Sequence, residues 1–100
     1  MLTREYVIRT LQKESKYLSK EYGVKRIGLF GSIAKNQANE TSDVDIYMEF
    51  SKFVGFKFIN LSDYLEKLFD RKVDILTPLG VKSIRIKHIA DSIRENIIYV

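Results

Sequence analysis

A chain of 100 residues has the length of one folding domain, so residues 1–100 are read as a single domain, with no second substrate-binding domain expected in the same polypeptide. Its 45% hydrophobic and 30% charged residues exclude a disordered or fibrous chain, and the absence of cysteine excludes disulfide scaffolds, thiol nucleophiles and thiolate zinc sites. A net charge of +4 suits a phosphate-bearing ligand or an acidic partner, while basic residues scattered over several elements argue against a dedicated nucleic-acid groove.

Val7, Leu11, Leu18 and Tyr22 recur at helical spacings, which predicts a helix over residues 3–22 capped by Thr3 and ended by Gly23. KRIGLFG, residues 25–31, reads as a strand that stops at Gly31-Ser32. SIAKNQA is short and helix-permissive, and NETS is turn chemistry. In DVDIYMEF, residues 43–50, Val44, Ile46, Met48 and Phe50 face one way, and Asp43, Asp45, Tyr47 and Glu49 the other. A helix follows over about 56–69, with Phe58, Leu61, Leu65 and Leu68 in one stripe. RKVDILT is a third strand closed by Pro78. Residues 80–94 carry another helical pattern, and IIYV is a last short strand or a docking tail. The order is that of an α/β protein. No apolar run approaches the roughly 20 residues of a membrane span, and MLTREYVIRT lacks a signal-peptide core, so a cytoplasmic location with no membrane association is expected.

The chemistry concentrates in residues 31–45. Backbone N–H groups of Gly31 and Ser32, with the Ser32 hydroxyl, can converge on a phosphate where a strand gives way to a helix. Asp43 and Asp45, at i and i+2, share one face of a strand about 7 Å apart along it. Paired carboxylates repel unless they share a divalent cation, and hard oxygen ligands select Mg²⁺. If RKVDILT pairs in parallel with the strand at 43–50, aligned by their starts, Asp74 falls beside Asp43 and Asp45, and its parity also matches, since Val73 and Ile75 then share the apolar face with Val44 and Ile46. Three carboxylates and a phosphate turn on one patch are the equipment of two-metal phosphoryl or nucleotidyl transfer.

Gly31-Ser32, ten residues, then Asp43-Val44-Asp45, with Asp74 in VDIL, resembles the signature of the DNA polymerase β nucleotidyltransferase superfamily. The shortness of the chain resembles the minimal nucleotidyltransferases, the MntA-type antitoxins of HEPN/MNT toxin–antitoxin pairs. The resemblance implies a small mixed sheet with helices mainly on one face. It further implies that Gly31 and Ser32 hold the phosphates of ATP, that Asp43 and Asp45 bind Mg²⁺ with Asp74 completing a two-ion site, and that AMP passes to a hydroxyl, such as a tyrosine, of a partner HEPN toxin. The alternatives are a non-catalytic antitoxin that neutralises its partner by association, and a small-molecule nucleotidyltransferase that builds its acceptor pocket as a homo-oligomer. Family members commonly continue the motif as ARGEA. Here the residues are Ala34, Lys35, Asn36, Gln37 and Ala38, so Lys35 keeps a charge without the planar fork and Gln37 removes a carboxylate.

Outside this segment the expectations are plainer. Tyr47 reads as a half-exposed strand tyrosine and Glu49 as a solvated residue beyond the site. His88 reads as a satisfied or partly exposed histidine. Lys82, Arg85, Lys87 and Arg94 form a solvated basic face, or a surface for an acidic partner. Phe50, Phe53, Phe56 and Phe58 read most simply as core and loop packing, with Phe53 and Phe56, flanking Gly55, candidates for a partner contact if that loop is exposed.

Overall fold

The computed structural model describes residues 2–100. The first helix, α1 (Arg4–Tyr22), begins where the Thr3 side chain accepts a hydrogen bond from the Tyr6 N–H, and it buries Val7, Leu11, Leu18 and Tyr22. Gly23 ends it in the left-handed conformation (φ 71°), donating its N–H to the carbonyls of Leu18 and Ser19. Then follow β1 (Val24–Phe30), the single turn α2 (Gly31–Ala34), β2 (Val44–Phe50), α3 (Lys57–Phe69), β3 (Val73–Leu76), α4 (Pro78–Lys82), α5 (Lys87–Asn96) and β4 (Ile98–Tyr99).

The four strands form one mixed sheet in the order β3-β2-β1-β4. β1 runs antiparallel to β2 and β4, and β2 runs parallel to β3, with α3 as the crossover between them. Period-2 alternation in β2 separates two environments. Val44, Ile46 and Met48 join Leu11 and Leu18 of α1 and Leu61 and Leu65 of α3 in the main core, all of them fully buried. On the other face Tyr47 packs with Val81 of α4 and Ala90 of α5 in a smaller cluster. The two long helices thus cover one face, and two short ones cover part of the other.

Four expectations need correction. The helical pattern over 80–94 is broken into α4 and α5 at Ser83, whose hydroxyl donates back to the Leu79 carbonyl at the end of α4. The break lets Val81 and Ala90 both reach Tyr47. Pro78 starts α4 instead of merely closing β3: it occupies the first turn, where no N–H is needed, behind a Thr77 side chain that accepts from the Gly80 N–H. Tyr47 is only 7% exposed, because α4 and α5 fold over it. Phe53 and Phe56, which flank Gly55, do not pack as core or loop residues, being 95% and 93% exposed.

Candidate active site

The register of the sheet brings the singled-out residues together. Phe30, the last residue of β1, is the partner of Asp45, so the next residue, Gly31, turns over the Asp45 side chain. Gly31 has φ 76°, and a Cβ at this position would collide with the Asp45 carboxylate. Both conditions demand glycine, one through backbone sterics and one through lack of space. On the other side of β2, Val44, Asp45 and Ile46 pair with Val73, Asp74 and Ile75, which sets Asp45 beside Asp74 on the same face. Neighbouring strands are about 4.8 Å apart, so these two carboxylates belong to adjacent positions, with Asp43 one strand repeat away. Asp43 and Asp45 are half-buried and Asp74 is exposed.

The electrostatics reflect this crowding. Burial first, then the charges of Asp74 and Asp43, push the Asp45 carboxyl above its ordinary value. Among the described residues no three acidic or histidine side chains close into one metal-holding group. What fits a hard divalent cation is the donor set: carboxylate oxygens only, with Asp74 and Asp43 close enough for their charges to oppose ionisation of Asp45. Asp43 just before β2, Asp45 within it and Asp74 on β3 would be the residues to hold it.

The Gly31-Ser32 turn is shorter than a helix-dipole argument requires. α2 has only four residues, so few peptide dipoles add up, and what it presents is a wound backbone. Residues 35–37 wrap back on it, with Lys35 N–H to the Gly31 carbonyl and Gln37 N–H to the Ser32 carbonyl at 2.8 Å. Asn36, where the family motif has glycine, lies at φ 57°, a conformation that asparagine tolerates better than other side chains. Lys35, Asn36 and Gln37 are all exposed.

Several positioning residues escaped sequence reasoning. The loop that delivers Asp43 is an Asx-type turn, in which Asn39 Oδ1 accepts from the Thr41 N–H at 2.8 Å and Ser42 Oγ accepts from the Asn39 N–H at 2.9 Å. Arg71 Nη1 staples this loop to the start of β3 by donating to the Ser42 carbonyl at 2.9 Å and the Asn39 carbonyl at 3.4 Å. Arg4 Nη1 donates to the Ala34 carbonyl at 3.2 Å and so ties α1 to the end of α2. NETS had been legible as a turn, but no sequence signal points from Arg71 to a partner 29 residues away. Glu49 also departs from its solvated reading: it accepts a hydrogen bond from the Tyr47 hydroxyl at 2.8 Å and pairs with Arg26 at 3.7 Å.

A family model described as a nucleotidyltransferase domain matches residues 11–100. The chain belongs to this nucleotidyltransferase family. A Methanocaldococcus jannaschii chain provisionally named protein adenylyltransferase MJ1379 is 40% identical over 103 residues, covering 100% of both chains. The protein adenylyltransferase MntA of Thermococcus cleftensis is 38% identical over 101 residues, covering 100% of this chain and 98% of that one. Among solved structures, one provisionally described as a minimal nucleotidyltransferase superposes with a TM-score of 0.72 at 23% identity, over 97% of this chain and 95% of that one. A crystal structure of a toxin–antitoxin with AMP-PNP gives a TM-score of 0.55 at 21% identity, over 83% of this chain and 60% of that one. Both likenesses are of the fold. No described helix is long and apolar enough to cross a membrane.

Proposed function

We propose that this nucleotidyltransferase is a cytoplasmic antitoxin that transfers AMP from ATP, with Mg²⁺, to a tyrosine hydroxyl of a HEPN-type toxin. The observation that carries the nucleotidyl-transfer reading is the register that sets Asp45 against Gly31 on one side and Asp74 on the other. The protein acceptor is supported by the relatives named protein adenylyltransferases, and the toxin by the fold shared with a toxin–antitoxin that carries an ATP analogue.

In this reading the backbone of Gly31 and Ser32, with the Ser32 hydroxyl, orients the β and γ phosphates, leaving the α phosphorus over Asp45. The acceptor oxygen forms a bond to that phosphorus as the bond to the β-phosphate oxygen breaks, pyrophosphate departs, and the hydroxyl proton passes toward Asp74, the most exposed of the three carboxylates. Mg²⁺ held by Asp43, Asp45 and Asp74 would supply charge neutralisation for the triphosphate and the leaving group. Ionised Asp45 is the form this chemistry needs, and burial with the charges of Asp74 and Asp43 opposes that form until a cation offsets them.

The test is incubation of the protein with ATP labelled in the α-phosphate, Mg²⁺ and the product of the adjacent reading frame. Label is expected on a tyrosine of that product, lost in Asp43→Ala and on chelation of Mg²⁺. Absence of label, or label undiminished in Asp43→Ala, sinks the reading.

A further inference from the structure

The carboxylate-bearing face of the sheet continues past the site into a cleft that the transfer reaction leaves unassigned. Along β2 the residues after Asp45 on this face are Tyr47 and Glu49, and a cavity of about 360 Å³ opens over them. Its polar walls are Arg26 of β1, Lys82 of α4, Arg94 of α5 and Tyr99 of β4, and Pro78, Val81 and Ile97 supply an apolar part. Three cations therefore surround one anion, and that anion is already engaged by the Tyr47 hydroxyl and Arg26. The Arg26 guanidinium lies 3.7 Å over the Tyr99 ring, which fixes it in place. Arg94 makes only an exposed i,i+3 pair with Asp91 at 3.3 Å, and Lys82 enters no ion pair among the described residues. Such unspent positive charge around a concave site raises the local concentration of anions and sets the orientation of an incoming partner.

Two ligand chemistries compete for this cleft. A nucleobase needs a free aromatic face, but Tyr47 is 7% exposed and edge-on to Tyr99, whose own face carries Arg26. A carboxylate needs only the cations. We propose that the cleft is a specificity pocket for the protein acceptor and binds an acidic side chain that lies near the hydroxyl being modified, with Arg26, Lys82 and Arg94 as its contacts. This rests on the protein-acceptor reading above. The spacing follows from the strand: Tyr47 and Glu49 are two and four residues beyond Asp45, about 7 to 13 Å at strand rise, so in an extended acceptor segment the acid stands two to four residues from the modified hydroxyl.

The experiment uses the whole protein and the adjacent-frame product, with the modified residue located by mass spectrometry. Lys82→Glu/Arg94→Glu is expected to lower kcat/KM for transfer 10- to 100-fold through KM for the acceptor, with affinity for ATP, measured by equilibrium binding, unchanged within twofold. Wild-type transfer is expected to fall with added salt. Changing the acceptor's nearby Asp or Glu to Lys should recover transfer by the reversed cleft and depress it for wild type, a swap that damage to the fold would not produce. The proposal is overturned by transfer within twofold of wild type in the double variant, by an equal loss of ATP affinity, which would give the cleft to the nucleotide, or by an acceptor with no acid within about 13 Å of the labelled hydroxyl. If wild type transfers no label, the protein-acceptor reading itself has failed; if wild type transfers and the reversed cleft does so equally well, only the pocket has failed.

Discussion

The two faces of β2 differ in what they ask of adjacent residues. Ile46 is fully buried between α1 and α3, where any loss of volume leaves a cavity. Asp45, its neighbour, points to the opposite face, where burial and two other carboxylates oppose its ionisation. The first residue stabilises the fold and contributes nothing chemical. The second costs stability and is retained where the proposed chemistry needs it, as expected for a functional site. The sheet thus concentrates its packing on one side, which lets the other side hold a cluster that packing alone would reject.

Substituting the two neighbours separates these roles most sharply. Asp45→Asn is expected to reduce transfer about 10³-fold or more, equivalent to about 4 kcal/mol of transition-state stabilisation. The same change should raise Tm at pH 7 by about 2–4 °C, read by calorimetry. The sign follows from the raised pKa: the folded state disfavours ionised Asp45, so wild type is penalised at neutral pH, and the penalty fades as pH falls through the raised folded-state value and is gone below the ordinary carboxylate value. The stability gain of Asp45→Asn should vanish over that interval. Ile46→Ala should do the reverse, losing about 2–4 kcal/mol of stability while the remaining folded protein keeps its activity. A destabilised Asp45→Asn at pH 7 would mean that Asp45 serves the fold more than the chemistry.

Gly31 joins the two roles, and its substitution is expected to have the next largest effect. Gly31→Ala must relieve both the positive φ and the collision with the Asp45 carboxylate, so the turn or the carboxylate has to move. A loss of about 100-fold in transfer, with about 1–2 kcal/mol lost in stability, is expected from steady-state kinetics and denaturant melts. Combining it with Asp45→Asn should cost little further activity, because both act on one carboxylate. Full additivity would show that Gly31 acts on the phosphates alone.

How much of this could be read in the sequence depends on the range of the interaction. Asp43, Asp45 and the alternating apolar set of β2 announce themselves by period 2, and a parallel pairing aligned by the strand starts, with parity fixing the face, carries Asp74 beside Asp45. Thr3 and Gly23 signal the ends of α1 through local hydrogen bonds. The sheet's second face was harder, because its cover depends on how α4 and α5 fold back. The periodic run over 80–94 carries no mark of the turn that Ser83 terminates, and so Tyr47 looked half-exposed and Glu49 solvated. The partners of Arg71 and Arg4 lie about thirty residues away and are set by the fold, a level at which composition and spacing are silent.

Arg71 offers the smallest expected effect and tests the difference between the two ways the site holds its carboxylates. Asp45 sits inside β2, fixed on both sides by β1 and β3, whereas Asp43 stands just before the strand at the end of the 35–42 loop. The Val44 N–H to Lys72 carbonyl bond, at 2.9 Å, fixes the residue after Asp43, but the loop before it depends on the Arg71 guanidinium reaching the Ser42 and Asn39 carbonyls. Arg71→Ala removes that staple without touching a carboxylate. Losing positioning contacts of this kind typically weakens metal sites by 10- to 100-fold, and the single loop here argues for about tenfold. The expected result is a tenfold higher Mg²⁺ concentration for half-maximal transfer, a near-wild-type rate at saturating Mg²⁺, and a stability loss of about 1 kcal/mol from the broken hydrogen bonds. Arg71→Lys should fall between, since a freely rotating ammonium on a shorter side chain keeps the donors without the fixed orientation of the guanidinium N–H groups. If the Mg²⁺ dependence stays within twofold of wild type in Arg71→Ala, then Asp43 is placed by the strand and not by its loop.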